Sequence, residues 1–144
     1  MYTLITLHSS GLRVSTFKTQ NECFNFVQNN SCIKYKVYPP NQKRDITFLN
    51  ALIWSDSESN FVIDILKAKE IKKNLLRQTR AVLFEKLDAA FLKSLESGDE
   101  QRRQYIINLK NQFRDITTLE LPNIEKDLLD FMPAVFKEVY DLSV

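Results

Sequence analysis

The side chains best suited to chemistry in this 144-residue chain are one imidazole, His8, and two thiols, Cys23 and Cys32. Catalysis by a histidine base requires a positioned nucleophile, and a structural zinc site requires four nitrogen or sulfur ligands. The sequence places neither a second cysteine pair nor a serine nucleophile motif near these residues. We therefore interpret His8 as an ordinary histidine at the surface or the edge of the core.

Other patterns that carry chemistry are missing as well. The carboxylates are scattered without the spacing of a metal site, and Gly11 and Gly98 are too far apart to form a phosphate-binding loop. We predict no catalytic residue, metal or cofactor, and we predict that the chain is not an enzyme. The two cysteines indicate no disulfide framework, which favours a reducing cytoplasm. We expect neither a signal peptide nor a membrane span, since no stretch approaches about 18 apolar residues.

Positive charge is concentrated in one segment. Residues 65–98 carry eight basic and four acidic side chains, whereas residues 99–144 carry six basic and nine acidic ones. Helical spacing places five of the basic residues on one outward arc: Lys69, Lys72, Lys73, Arg77 and Arg80. Such an arc suits phosphate contacts, so nucleic-acid binding by the face 69–80 is an alternative function. A solvated outer face is the favoured interpretation, because the net charge is only +2 and no aromatic residues interleave the lysines.

The first 64 residues predict a small ββαβ unit. Residues 2–8 and 12–17 alternate as two strands of a hairpin, joined by Ser9-Ser10-Gly11. Thr19, followed three residues later by Glu22, forms a capping box that predicts a helix start. A third strand is predicted at residues 33–37, where Ile33, Tyr35 and Val37 alternate with polar residues.

The segment before residue 65 leaves two alternatives open. Phe48, Leu49, Leu52, Ile53 and Trp54 fit either a short buried helix or a strand. The polar residues 56–60 predict a loop, and residues 61–63 predict another strand.

From residue 65 the apolar spacing becomes helical and predicts a hairpin of two helices. Gly98 is predicted to be a left-handed C-cap, and Asp99 the N-cap of a second helix that ends near Ile116. That second helix spans roughly 25 Å and covers only the nearer half of the first, about residues 80–97.

The uncovered half of the long helix carries its own apolar stripe within an arc of roughly 80°. It comprises Ala68, Ile71, Leu75, Thr79 and Val82. We predict that this stripe is buried by a partner, and that the apolar face turns by about 120° beyond Val82. Two short helices are predicted in residues 118–144, which either fold back on the basic helix or engage another subunit. Their apolar residues complete the predicted partner-binding set: Phe131, Met132, Phe136 and Tyr140.

Charged residues at the hairpin seam form a further set: Arg77, Arg80, Asp88, Arg114 and Asp115. We predict that forked hydrogen bonds between these arginines and acids fix the register of the two helices. Recognition of a partner is the alternative.

Several motifs of this hairpin occur in the order typical of a known family. They are Lys67-Ala68, Ile71, Arg77, Arg80, Leu87-Asp88 and Phe113-Arg114-Asp115-Ile116. Over about residues 65–117 the chain thereby resembles the phage tail-fibre assembly proteins. The resemblance implies a chaperone or a minor structural component of the virion, which contacts tail or tail-fibre proteins. It also implies a place in the host cytoplasm during assembly, or in the virion tail, and is compatible with a homo-oligomer.

The expected architecture is thus α+β, with a small N-terminal ββαβ unit, a long helical hairpin and short C-terminal helices. The corresponding segments are residues 1–64, 65–117 and 118–144.

Overall fold

The computed structural model describes residues 1–42 and 44–142, with residue 117 described by its backbone alone. Two compact units are present, Met1–Ala68 and Lys69–Val144. The predicted α+β class is confirmed, because antiparallel strands with one helix precede a long helix and several shorter ones. The hairpin and the C-terminal helices share the second unit, and the long helix begins in the last residues of the first.

The first unit contains a three-stranded antiparallel sheet in the order β2-β1-β3. Its elements are β1 (Tyr2–His8), β2 (Gly11–Phe17), α1 (Gln20–Asn29) and β3 (Lys34–Tyr38). Gly11 has a φ of +115°, which explains the glycine after the Ser9-Ser10 turn. The predicted capping box is present at the start of α1, where Thr19 and Glu22 each bond the other's backbone N–H. The predicted ββαβ order is confirmed.

A second hairpin completes this unit. It consists of β4 (Leu52–Ser55) and β5 (Asn60–Ile63), which pair antiparallel. Before β4, residues Leu49–Ala51 form one turn of 3-10 helix. The segment for which both a helix and a strand were considered therefore contains a short helical turn followed by a strand. The core of the first unit includes Ile5, Tyr38, Leu52 and Phe61.

The second unit is helical. Its helices are α2 (Ile65–Glu96, which starts in the first unit), α3 (Glu100–Arg114), α4 (Glu125–Asp130) and α5 (Ala134–Asp141). A 3-10 turn, Asp115–Thr118, follows α3. No helix in the described part of the chain is long and apolar enough to cross a lipid bilayer.

The turn between α2 and α3 follows the predicted capping chemistry. Gly98 has a φ of +68°, and its N–H donates to the carbonyl of Leu95 at 3.2 Å. The N–H of Asp99 donates to the carbonyl of Ser94 at 3.0 Å, which completes a Schellman motif. The Asp99 carboxylate then accepts from the N–H of Arg102 at 2.9 Å. Gly98 therefore caps the end of α2 and Asp99 caps the start of α3, as predicted.

Phe113 lies at the centre of the second unit. Its side chain is fully buried, with its ring centroid 5.6 Å from that of Phe84 on α2 and 5.1 Å from that of Phe136 on α5. Asp88 on α2 and Lys110 on α3 form an ion pair at 2.6 Å. These contacts join α2 to α3 as an antiparallel hairpin, with α5 packed against the same aromatic cluster.

The buried face of α2 differs from the prediction. In the second unit this face is formed by Leu76, Leu83, Leu87, Ala90 and Ser94, all of them buried. These positions fall within an arc of about 60°, so one continuous face serves both halves of the helix. The prediction that the apolar face turns near Val82 is wrong. The buried face of α2 in the second unit is also a different face from the predicted apolar stripe, which includes the exposed Val82.

Candidate partner-binding surfaces

An apolar stripe remains uncovered on α2. Val82 is 68% exposed and Leu75 is 37% exposed, while Ile71 is half-buried. We call Ile71, Leu75 and Val82 the outer stripe. Of the other two residues in the predicted stripe, Thr79 is half-buried and Ala68 is fully buried in the first unit.

The C-terminal segment folds back on α2, but over the face beside the outer stripe. The ammonium of Lys69 donates to Asn123 Oδ1 at 2.6 Å, and that of Lys72 donates to the Leu129 carbonyl at 2.7 Å. Further along α2, Lys86 donates to the carbonyl of Tyr140 at 2.8 Å. These bonds settle the open alternative for the C-terminal helices, which pack on their own chain.

The C-terminal apolar residues are divided by this packing. Phe136 is fully buried against Phe113, so its predicted place on a binding surface is wrong. Met132 is 58% exposed, Tyr140 is also exposed, and Phe131 is half-buried. On α5, Phe136 points into the aromatic cluster and Tyr140 does not, whereas Phe131 and Met132 lie in the connection that precedes α5.

A groove of about 460 Å³ opens beside Met132. We call it the C-terminal groove. It is lined by the end of α3 and the turn that follows, by Leu119, and by the α4–α5 connection with the start of α5. The lining residues are Gln112, Asp115, Leu119, Phe131, Met132, Pro133, Ala134 and Val135. Leu119 is exposed and was not predicted. The sequence gives little signal for it, since it is an isolated leucine in a connection without helical spacing.

The predicted pairing of seam charges is wrong. Arg77 donates to Asn74 and Arg114 donates to Asn111, each within its own helix. Arg77 projects about 100° away from the buried Leu76, so it cannot reach the seam. Within residues 1–42 and 44–142, no ion pair links either Arg114 or Asp115 to α2.

Two of the five predicted seam residues do lie at the seam, with other partners. The guanidinium of Arg80 donates to the carbonyl of Phe113 at 3.5 Å. Asp88 pairs with Lys110, which sequence reasoning missed and whose ammonium lies 4.7 Å from the ring centroid of Phe91. The cation of the register pair is thus a lysine on α3.

Each basic residue of the predicted outward arc has a partner within the chain. Lys69, Lys72 and Arg80 bond to residues of the C-terminal segment and α3, as described above. Lys73 pairs with Glu70 at 3.3 Å, and Arg77 donates to Asn74 at 2.6 Å. Burial lowers the pKa of Lys72, which nearby Asp130 partly offsets. Much of the arc therefore serves the packing of the second unit.

His8 lies close to one of the two thiols, a neighbour that its spacing along the chain did not indicate. Its Nε2 lies 3.7 Å from the Sγ of Cys32 and 2.8 Å from Thr6 Oγ1, and its Nδ1 lies 3.2 Å from the Ser31 carbonyl. The other thiol, Cys23, is fully buried, and this burial raises its pKa. Among the described residues, no group of three or more His, Cys, Asp or Glu side chains is arranged to hold a metal ion.

Comparisons with protein families, with curated proteins and with solved structures found no match to this chain. Among the described residues of the second unit, the outer stripe and the C-terminal groove are apolar surfaces that the fold leaves uncovered.

Proposed function

We propose that this chain is a non-enzymatic protein of phage tail or tail-fibre assembly, acting through protein–protein contacts as a chaperone or as a minor virion component. The motifs within residues 65–117 support this assignment by their resemblance to the tail-fibre assembly proteins. The observation that carries it is the exposure of Leu75 and Val82 on a helix whose other face is already packed. Contiguous apolar side chains left on a surface are typical of protein-contact sites.

The outer stripe has the dimensions of a site for a helix. From Ile71 to Val82 it extends about 17 Å along α2, which is three helical turns. A partner helix with apolar residues at every third or fourth position would match that spacing. The tail or tail-fibre polypeptide is the proposed partner, and a second copy of this chain is the other protein partner to test.

The energy available from the outer stripe is modest. Burying a large aliphatic side chain completely contributes about 1.5–3 kcal/mol, and these three are already partly covered. Together they supply roughly 3–5 kcal/mol, whereas association costs about 4–15 kcal/mol. A lasting complex therefore needs additional contact area, and the C-terminal groove with Met132 offers it. Release is easy from such a surface, which suits a chaperone that leaves its client.

The alternative of nucleic-acid binding by residues 69–80 is less well supported. Phosphate contacts require free cations, and Lys69, Lys72 and Arg80 are bonded to groups of the second unit. Recruiting them would break bonds that hold the C-terminal segment on α2. Binding to DNA that is abolished by moderate salt, and lost in a Lys73→Gln, Arg77→Gln double variant, would favour this alternative.

The proposal is tested by co-expressing the chain with the tail-fibre polypeptide encoded in the same genome and measuring soluble fibre. We expect wild type to increase soluble fibre, and Val82→Asp to abolish that increase. Leu92→Asp is the matched control, because Leu92 is 59% exposed on the same helix, about 80° around it from Val82. Equal fibre yields with wild type, Val82→Asp and no added chain would contradict the proposal.

Two further measurements separate the versions of this function. If mass spectrometry of purified virions detects this chain at stoichiometric copy number, the result supports a structural component in the virion tail. Absence from virions supports a chaperone that acts in the host cytoplasm and then leaves. If a second copy occupies the outer stripe, the mass measured by sedimentation rises with concentration, and Leu75→Asp prevents that rise.

A further inference from the structure

We infer that Cys32 is a reactive thiol whose proton is accepted by His8, and that this pair undergoes exchange with small disulfides. The inference concerns the first unit and is independent of the proposed function. It stands on the 3.7 Å separation of Cys32 Sγ and His8 Nε2 and on the hydrogen bonds that orient the imidazole.

Hydrogen bonding determines which ring nitrogen of His8 is free to accept a proton. The carbonyl of Ser31, 3.2 Å from Nδ1, can only accept a hydrogen bond, so Nδ1 carries the hydrogen. Nε2 is then the basic nitrogen of the neutral ring. It faces the Thr6 hydroxyl at 2.8 Å and the Cys32 thiol at 3.7 Å. The Thr6 hydroxyl is thus the nearer partner of this lone pair, and the Cys32 thiol is a second, more distant one.

The same neighbours stabilise the ring after it gains a proton. Nδ1–H keeps its acceptor, the Ser31 carbonyl, and the new Nε2–H faces both the Thr6 oxygen and the Cys32 sulfur. Both N–H groups of the imidazolium are thus satisfied next to a thiolate. A charge-assisted hydrogen bond to that thiolate is stronger than the neutral one that precedes it.

Backbone bonds fix the distance between the two side chains. His8 ends β1, where it pairs with Gly11. The N–H of Ile33, next to Cys32, donates to the carbonyl of Leu7, next to His8, at 2.7 Å. Cys32 lies in the connection between α1 and β3, and this bond holds the end of that connection beside the end of β1.

Accessibility distinguishes the two cysteines. Cys32 is half-buried and lies beside a half-buried base. Cys23 has no exposed surface, and burial raises its pKa, which disfavours the thiolate. Its sulfur donates instead to the Thr19 carbonyl at 3.6 Å. The chain thus provides an internal control for the reactivity of a thiol that lacks a base.

The proposed reaction is a thiol–disulfide exchange. His8 Nε2 takes the thiol proton, and the Cys32 sulfur attacks one sulfur of the small disulfide. A new S–S bond forms as the old one breaks, so Cys32 is oxidised to a mixed disulfide and the departing sulfur is reduced to a thiolate. The proton on His8 passes to that thiolate or to water. An external thiol reverses the reaction.

The test uses the full chain and dithionitrobenzoate, an aromatic disulfide that releases a coloured thiolate. We expect one fast thiol per chain, mapped to Cys32 by peptide mass, with a rate above that of N-acetylcysteine under the same conditions. Cys32→Ser should abolish the fast phase. His8→Gln should slow it about tenfold, a small part of the roughly 100-fold or greater effect of a positioned base in enzymes.

Two controls keep this test decisive. Added imidazole should accelerate Cys32 in a His8→Ala variant and leave Cys23 slow, which a merely structural role of His8 would not produce. The rate of wild-type Cys32 relative to N-acetylcysteine requires no variant, so misfolding of the His8 variants cannot obscure it. A wild-type rate at or below that of N-acetylcysteine would overturn the inference, as would an unchanged rate in folded His8→Gln.

Discussion

Replacing Phe113 by alanine should destabilise the second unit more than any exposed substitution on α3. Phe113 is fully buried and contacts the rings of Phe84 and Phe136. Truncating a buried phenylalanine to alanine costs about 3–5 kcal/mol. Because two aromatic pairs are lost together, we expect about 4 kcal/mol or more. That is a large part of the roughly 5–15 kcal/mol that stabilises a typical protein.

The assay is urea unfolding followed by far-ultraviolet circular dichroism, which reports mainly on the helices of the second unit. Tyr105→Ala is the control, because Tyr105 lies on the same helix and is 44% exposed. Its loss should cost about 1 kcal/mol or less. The reasoning is refuted if Phe113→Ala unfolds within about 1 kcal/mol of wild type, or if the two variants are equally destabilised.

Three further substitutions test local features. Gly98→Ala should cost about 1 kcal/mol in urea unfolding, since its φ of +68° disfavours a side chain although no atom lies within 4 Å of the added Cβ; an unchanged midpoint would contradict this. Hydrogen bonds from Lys34 and then from Trp54 lower the pKa of Asp56 below its ordinary 3.8, so its contribution to stability is complete above 3.8 and is lost as pH falls through the lowered value. Asp56→Asn should therefore weaken the acid dependence of unfolding measured by Trp54 fluorescence, and an identical acid profile would refute the assignment. Burial lowers the pKa of Lys72 below 10.5, so the unfolded chain binds more protons between the two values, and stability from this group rises with pH through that interval. Lys72→Met should remove that rise when its melting temperature is compared with wild type at neutral and alkaline pH, and an equal rise in both proteins would argue against it.

Features determined by neighbouring residues were predictable from the sequence. The capping box at Thr19 and the turn at Gly98 and Asp99 depend on backbone groups three to five residues away. Such short-range chemistry operates largely independently of the rest of the fold. The order of strands and helices followed from these signals together with hydrophobic periodicity.

The buried face of α2 was not predictable in the same way. Lys69 and Lys72 lie on that face. They are accommodated there because their ammonium groups donate to Asn123 and to the Leu129 carbonyl, more than 50 residues away in sequence. Lysine stems cover apolar surface while their charged ends find polar partners, so a basic residue does not always mark an outward position. Periodicity based on hydrophobicity alone then selected the stripe that includes Val82, which is exposed.

The neighbours of His8 illustrate the same limit for sheet residues. Cys32 is 24 residues away in sequence and comes within reach only because β1 pairs with β3. The register could have revealed it, since pairing Leu7 with Lys34 brings His8 toward the start of β3. Spacing along the chain contains no information about that register.

If the proposed function is correct, the gene belongs to a phage, and its deletion from that phage tests the central claim most directly. Electron microscopy of the resulting particles should show heads at normal number with tails or tail fibres missing. Wild-type chain supplied from a plasmid should restore them, and so should Leu92→Asp, whereas Val82→Asp should not. Particles of normal morphology and infectivity after the deletion would contradict a role in tail or tail-fibre assembly.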